Sequence, residues 1–243
     1  MSKLKIFHAN ITKDFKKVGI ESKFTIIKES DIKTPKIVSC VSVFRMPDPY
    51  KDESMYINGL NFMLDNFDRV MSNSILRIYY DDSVSKKDDK WEFLIAKAKT
   101  KKFTQVIHYN FKQFKKQNSF YHEGVFGMIV RYFPIFNFGN EGEIVTIDDI
   151  DHVNLKEFEE HYTMIKTGLA CLKSTKLTFA FGSYGYRAYI SKPRLMVSEI
   201  TEKYDFNNRM ITQPSICAKK LNKTVLVDFM LCVLEKCDMY NNW

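Results

Sequence analysis

Three carboxylates fall within four positions of the stretch Thr146-Ile147-Asp148-Asp149-Ile150-Asp151. Like charges this close repel and raise one another's pKa unless a cation offsets them. Asp149 and Asp151 are one residue apart, so in an extended turn both can reach one hard cation. Mg²⁺ or Mn²⁺ takes oxygen ligands of this kind and keeps positions for water and substrate phosphates. A plainer reading stands beside this one: Asp148 or Asp151 caps a helix beginning near Leu155, as acids often do ahead of helices.

A second feature precedes the acids. In Gly124-Val-Phe-Gly-Met-Ile-Val-Arg131-Tyr-Phe-Pro134, Arg131 is the single charge in a long apolar stretch. A lone arginine among apolar residues is costly unless it meets an anion or a carboxylate. It is read either as a salt-bridge partner of the aspartates or as a contact to a substrate phosphate.

These residues need a frame to bring them together. Lys36–Phe44 is a short β-branched apolar run of the kind buried in a parallel sheet. Met55, Leu60, Met63, Leu64 and Phe67 recur at helical spacing. Ile75–Tyr80 is a second strand, Asp88 to Lys99 a helix, and Thr104–Phe111 a third strand. His122 to Tyr132 reads as a helix stopped by Pro134, Glu143–Ile147 as a fourth strand, and Leu155 to Ile165 as a helix. This alternation implies parallel strands joined by crossovers, hence an α/β fold with a mostly parallel central sheet flanked by helices. The aspartates then sit at the C-terminal end of a buried strand, where open α/β sheets bind ligands. Ahead of this block, Lys3–Ile11 and Lys23–Lys28 read as two strands of an N-terminal extension over residues 1–34. After Gly168 the pattern changes: Lys176–Phe181 is strand-like, Gly182 to Ser191 is a Tyr- and Gly-rich turn, and Val225–Glu235 is a closing helix.

The order of these signals resembles a GT-A-type glycosyltransferase. The series runs from a strand ending near Val43-Phe44 through Tyr56-x-x-Gly59 and Arg77-Ile-Tyr-Tyr-Asp81. It continues with Gly124-x-Phe-Gly-x-x-Val-Arg131-x-x-Pro134 and Asp149-Ile-Asp151. More narrowly it is similar to glycosyltransferase-like proteins of large DNA viruses, in which an R-F-L-P helix precedes an R-D-L-D metal motif. The likeness covers about Lys36 to His152. It implies a single GT-A-like domain over residues 1–243, with a nucleotide-sugar and metal half over 36–152 and an acceptor half over 153–243. It also implies a nucleotide-diphosphate-sugar donor, with Asp149 and Asp151 holding Mn²⁺ or Mg²⁺ and Arg131 near the diphosphate or the sugar. Phe44 and Arg45 would line the nucleoside pocket, and Asp81 would sit near the base or ribose. The sequence departs from the pattern at Asp148, where the viral relatives tend to place arginine. It departs again at His152, which replaces a small polar residue and is a candidate third metal ligand or diphosphate contact.

Other residues are less specific. Tyr184, Tyr186, Arg187 and Tyr189 suit either sugar stacking or a packed hairpin. His161 is a possible further metal ligand, and Asp205, Glu199 and Glu202 are acids in the acceptor half among which no base is nominated. The acceptor, a glycan or a protein, is not named by any motif.

Composition bounds the alternatives. The chain has 243 residues, with 37 Lys and Arg against 29 Asp and Glu, and its 20 Phe and 13 Tyr provide enough surface for a core. Part of the basic excess is local, in Lys97, Lys99, Lys101 and Lys102, then Lys112, Lys115 and Lys116 around Phe111 and Phe114. Basic residues interleaved with aromatics can bind single-stranded nucleic acid; they can equally be a solvated surface, or attract an anionic substrate. The five cysteines show no CxxC pair, so neither a disulfide framework nor a zinc site is indicated. No apolar run has the length of a membrane span, and no signal peptide is evident at Met1 to Ala9, so a cytoplasmic location is expected. No P-loop, G-x-G-x-x-G, H-E-x-x-H or G-x-S-x-G sequence is present. Two readings compete with an enzyme: a GT-A-like scaffold without catalysis, acting as a viral structural or interaction protein, and a nucleic-acid-binding protein.

Overall fold

The computed structural model describes residues 1–45, 52–85, 89–115, 122, 126–139, 144–151, 153–160, 162–163, 179–181, 216–218 and 222–235. The chain opens with a helix, α1 (Lys3–Lys17), and not with the strand expected over Lys3–Ile11. Leu4, Phe7, His8, Ile11 and Phe15 recur at three- and four-residue intervals and are all buried, which is the spacing of one helical face. Ser2 caps the helix by accepting from the Lys5 N–H. The second expected piece is a strand, β1 (Ser22–Lys28).

The alternating block follows as β2 (Ile37–Val43), α2 (Glu53–Val70), β3 (Ile75–Tyr80), α3 (Asp82–Ser85), α4 (Asp89–Thr100), β4 (Thr104–Phe111), α5 (Phe126–Val130) and β5 (Ile144–Ile147). β2 and β3 are buried at every position, as strands covered on both faces must be. Residues 155–160 and 162–163 are helical, and β6 (Phe179–Phe181), β7 (Ile216–Ala218) and α6 (Lys223–Glu235) complete the described elements. The helix expected over His122 to Tyr132 is shorter. His122 instead makes a strand-like bridge with Lys115, and a 3₁₀ turn, Phe133–Ile135, takes up Pro134.

One seven-stranded sheet runs in the order β1-β4-β3-β2-β5-β7-β6. Its centre, β4-β3-β2-β5, is parallel, and β1, β7 and β6 join antiparallel. Helices cover both faces. α1, α5 and α6 share one apolar cluster with Val38, Tyr79 and Tyr109, while α2, α4 and residues Phe158 and Tyr162 share the other with Val41, Ile78 and Val106. Successive parallel strands step outward from β2 through β3 to β4, and β5 then returns to the other side of β2. The crossover before that return lies on the opposite face from α2 and α4. Between β2 and β5 the order therefore reverses, and a crevice at the C-terminal ends of two such strands is where open α/β sheets bind ligands. Among the described residues no helix is long and apolar enough to cross a membrane.

Candidate functional site

The acidic turn leaves β5 at the reversal point. The Asp148 N–H donates to the Cys40 carbonyl of β2 at 2.9 Å, so the sheet ladder continues one residue past the end of β5. The Asp148 side chain then turns inward and is fully buried. One oxygen accepts from the Tyr162 hydroxyl and lies 3.5 Å from Ser39 Oγ; the other accepts from the Asp149 N–H at 3.0 Å. Asp148 is thus a structural acid, satisfied by donors from three segments. It does not cap the following helix, and neither does Asp151. Asn154 does so, accepting from the Lys156 N–H at 3.0 Å and the Glu157 N–H at 3.5 Å.

Asp149 and Asp151 behave differently. Both are partly exposed, just past the C-terminal end of β5. Asp149 Oδ1 accepts from the Ile150 N–H at 3.0 Å, which fixes the rotamer of the carboxylate. The turn lies hard against α2: a Cβ on Gly59 would fall 1.6 Å from the Ile150 carbonyl oxygen. Gly59 is therefore a requirement of this approach.

Arg131 follows α5 and is 3% exposed. Its Nη1 donates to the Asp148 carbonyl at 2.6 Å and stands 3.8 Å from Asp149 Oδ1. The ion pair with Asp149 meets the salt-bridge reading, and the closer contact is a backbone carbonyl in the acidic turn. The Nε and Nη2 groups find no hydrogen-bond partner among the described residues.

Phe44 and Arg45 leave β2 beside the turn. The Phe44 ring packs against α5 at Gly127, where a Cβ would come within 2.3 Å of it. The Arg45 guanidinium pairs with Glu53 at 2.6 Å, and Glu53 also accepts from the Trp91 indole at 2.9 Å. The Arg45 N–H donates to Ser83 Oγ at 2.9 Å, and Ser83 in turn donates to Asp81. Backbone and side-chain bonds thus join the ends of β2 and β3.

Asp81 is buried, with one oxygen on Ser83 and the other 2.7 Å from His122 Nδ1. His122 Nε2 accepts from the Phe111 N–H at 3.1 Å, which assigns the proton to Nδ1 and makes it the donor to Asp81. Sequence reasoning missed His122 as the partner of Asp81; a histidine 41 residues away in the chain carries no local signal. The hydroxyl of Tyr109 is raised well above its ordinary pKa by burial, with the Asp81 charge adding to it. Asp82, the next acid, faces the surface of β4 and takes His108 at 2.9 Å and Lys115 at 2.8 Å. Burial pushes its carboxyl up, but Lys115 and His108 outweigh this and hold it below the usual range.

Six of the seven predicted site residues therefore lie along the C-terminal edge of the parallel strands, while His152 lies outside the described residues. So do His161, the Gly182–Ser191 region and the acids Glu199, Glu202 and Asp205. Among the described residues no group of three His, Cys, Asp or Glu is gathered as a metal cluster. The donor set in the turn is two partly exposed carboxylates. That fits a Mg²⁺- or Mn²⁺-type ion whose remaining positions are filled by water and phosphate, and does not fit an all-protein cage. The basic stretch is largely neutralised: Lys97 and Lys101 meet Asp65, Lys102 meets Asp68, Lys112 meets Glu21 and Lys115 meets Asp82. Its aromatics, Phe111 and Phe114, are buried and offer no face for base stacking.

No family model, no curated protein and no solved structure matches the chain.

Proposed function

We propose that the chain is a metal-dependent glycosyltransferase of GT-A-like architecture, moving a sugar from a nucleotide-diphosphate donor to an acceptor hydroxyl. The observation that carries this reading is the contrast within the acidic turn. Asp148 is consumed by the fold, whereas Asp149 and Asp151 stay partly exposed just past β5, at the β2–β5 reversal where open α/β sheets bind ligands. Asp149 and Asp151 hold Mn²⁺ or Mg²⁺, which when bound neutralises charge on the departing diphosphate.

The chain's own residues prepare the site. Arg131 holds the Asp148 carbonyl and so fixes the turn from which both acids project. Its positive charge lies beside the diphosphate position. Phe44 and Arg45 form the nucleoside side of the crevice, with Glu53 and Trp91 fixing the Arg45 side chain. Asp81 supports the Arg45 backbone through Ser83 and acts as a positioning residue for the base or ribose side.

Calorimetric titration of UDP and GDP, with Mn²⁺ and with EDTA, tests the reading on the native chain and on Asp149→Ala/Asp151→Ala. Binding that requires both the metal and the two acids supports it. Absence of binding to either nucleotide overturns it in favour of a non-catalytic interaction scaffold.

A further inference from the structure

At the β1 edge of the sheet, three strands away from β2, α1 and β1 enclose an open groove of about 440 Å³. Its floor is apolar, formed by Phe24 and Ile26 of β1, with Ala9 of α1 leaving room between them. Its rim is basic: Lys5, Lys13 and Lys16 share the flank of α1 that faces β1. Lys5 meets Glu29 at 3.5 Å. Lys13 and Lys16 have no ion pair among the described residues, unlike Lys97, Lys101, Lys102, Lys112 and Lys115.

Among the described residues β1 ends the sheet and pairs on one side only, with β4. The Lys112 N–H donates to the Glu21 carbonyl, which identifies that pair as a hydrogen-bonded one. Antiparallel pairs alternate, so the backbone groups of Lys23 and Thr25 face β4 and those of Phe24 and Ile26 face outward. The two residues that floor the groove are thus the ones whose N–H and C=O groups face away from β4, where no described strand pairs with them.

We propose that this groove docks an extended acidic peptide of a partner protein. The peptide adds as a strand to β1, seats an apolar side chain over Phe24 and Ile26, and lays its carboxylates along Lys13 and Lys16. A second copy of this chain is a poor occupant, because lysines on the edge repel their own image, a device that keeps edge strands from self-pairing. The same charges attract an acidic strand.

The test is fluorescence anisotropy with a fluorescein-labelled peptide of alternating Glu and Val, against a Lys-Val control of equal length. The Glu-Val peptide binds and the control does not. Lys13→Glu/Lys16→Glu weakens binding at least tenfold, and Ala9→Phe, which fills the groove from an exposed helix position, does the same. Lys99→Glu on α4 leaves binding unchanged, and circular dichroism shows each variant folded. No binding overturns the proposal, and so does equal weakening by Lys99→Glu, which would mark general charge attraction. Binding to phosphatidylserine vesicles without binding to the peptide also overturns it. None of these outcomes depends on nucleotide or metal.

Discussion

A Cβ on Gly59 would stand 1.6 Å from the carbonyl oxygen of Ile150, so α2 and the acidic turn meet backbone to backbone. The obstacle is main chain and cannot swing aside as a side-chain tip would. Gly59→Ala is expected to push the turn off α2, at a cost of about 2–4 kcal/mol, at or above the range for overpacking a core. Urea denaturation measures the loss. The same displacement moves Asp149 and Asp151 together, so the variant also binds Mn²⁺ with nucleotide more weakly than a surface Lys99→Ala control. Unchanged stability would mean that the close approach is not made.

The Phe44–Gly127 contact permits a stricter test. Here the obstacle is a ring, 2.3 Å from the added carbon, and a ring can be removed. Gly127→Ala alone destabilises by about 1–3 kcal/mol, and Phe44→Ala alone costs a partly buried aromatic. In the double variant the ring is gone and the new methyl has space, so the two costs sum to more than the measured loss. A double-mutant cycle by urea melts reads this coupling. Strict additivity would show that the two residues do not touch.

The three neighbouring acids should separate cleanly by role. Asp148→Asn keeps the shape but removes the charge that accepts from Tyr162 and the Asp149 N–H. It is expected to cost about 1–3 kcal/mol of stability, the scale of a disrupted buried hydrogen-bond group. Asp149→Asn and Asp151→Asn, at partly exposed positions, stay within about 1 kcal/mol of the native chain. They remove metal-dependent nucleotide binding instead. Thermal melts beside calorimetry with Mn²⁺ test the division. A large stability loss in Asp151→Asn would place that residue with Asp148.

How much of this was legible in the sequence depends on the range of the interaction. The parallel strands were legible because Lys36–Phe44, Ile75–Tyr80 and Thr104–Phe111 carry their signal in consecutive β-branched and aromatic residues. α1 was misread because Lys3–Ile11 also alternates charged and apolar residues over a short window. Extending the window to Phe15 brings out the helical spacing that burial then reveals. The acidic turn was found, but its division of labour was not. Asp148 is buried by Ser39, more than a hundred residues earlier, and by Tyr162 on the helix beyond; no local pattern announces either contact. The Asp81–His122 pair was hidden for the same reason, as was the use of Asn154 in place of an aspartate as the cap.

His8 offers a prediction about pH. Its ring lies under α1, with Nδ1–H donating to the Leu4 carbonyl at 2.9 Å and Nε2 accepting from the Tyr79 hydroxyl at 3.1 Å. Burial lowers its pKa from 6.5 to about 3, the Arg77 charge acts in the same direction, and the Leu4 carbonyl only partly opposes them. The native state therefore keeps His8 neutral over a range in which the unfolded chain binds a proton. Stability contributed by the neutral ring is fully present above pH 6.5 and is lost progressively as pH falls towards 3. Across that window the slope approaches about 1.4 kcal/mol per pH unit from this group. His8→Phe retains a ring among Phe7, Phe24 and Tyr79 but cannot titrate. It starts about 1 kcal/mol lower at pH 7, because the Tyr79 hydroxyl loses an acceptor. Urea denaturation at pH 7, 6, 5 and 4 should then show the two curves crossing between pH 6 and pH 5, with His8→Phe the more stable by about 2 kcal/mol at pH 4, since only the native chain loses stability through this group on acidification. Parallel curves would mean that His8 is protonated in the folded state as readily as in the unfolded one.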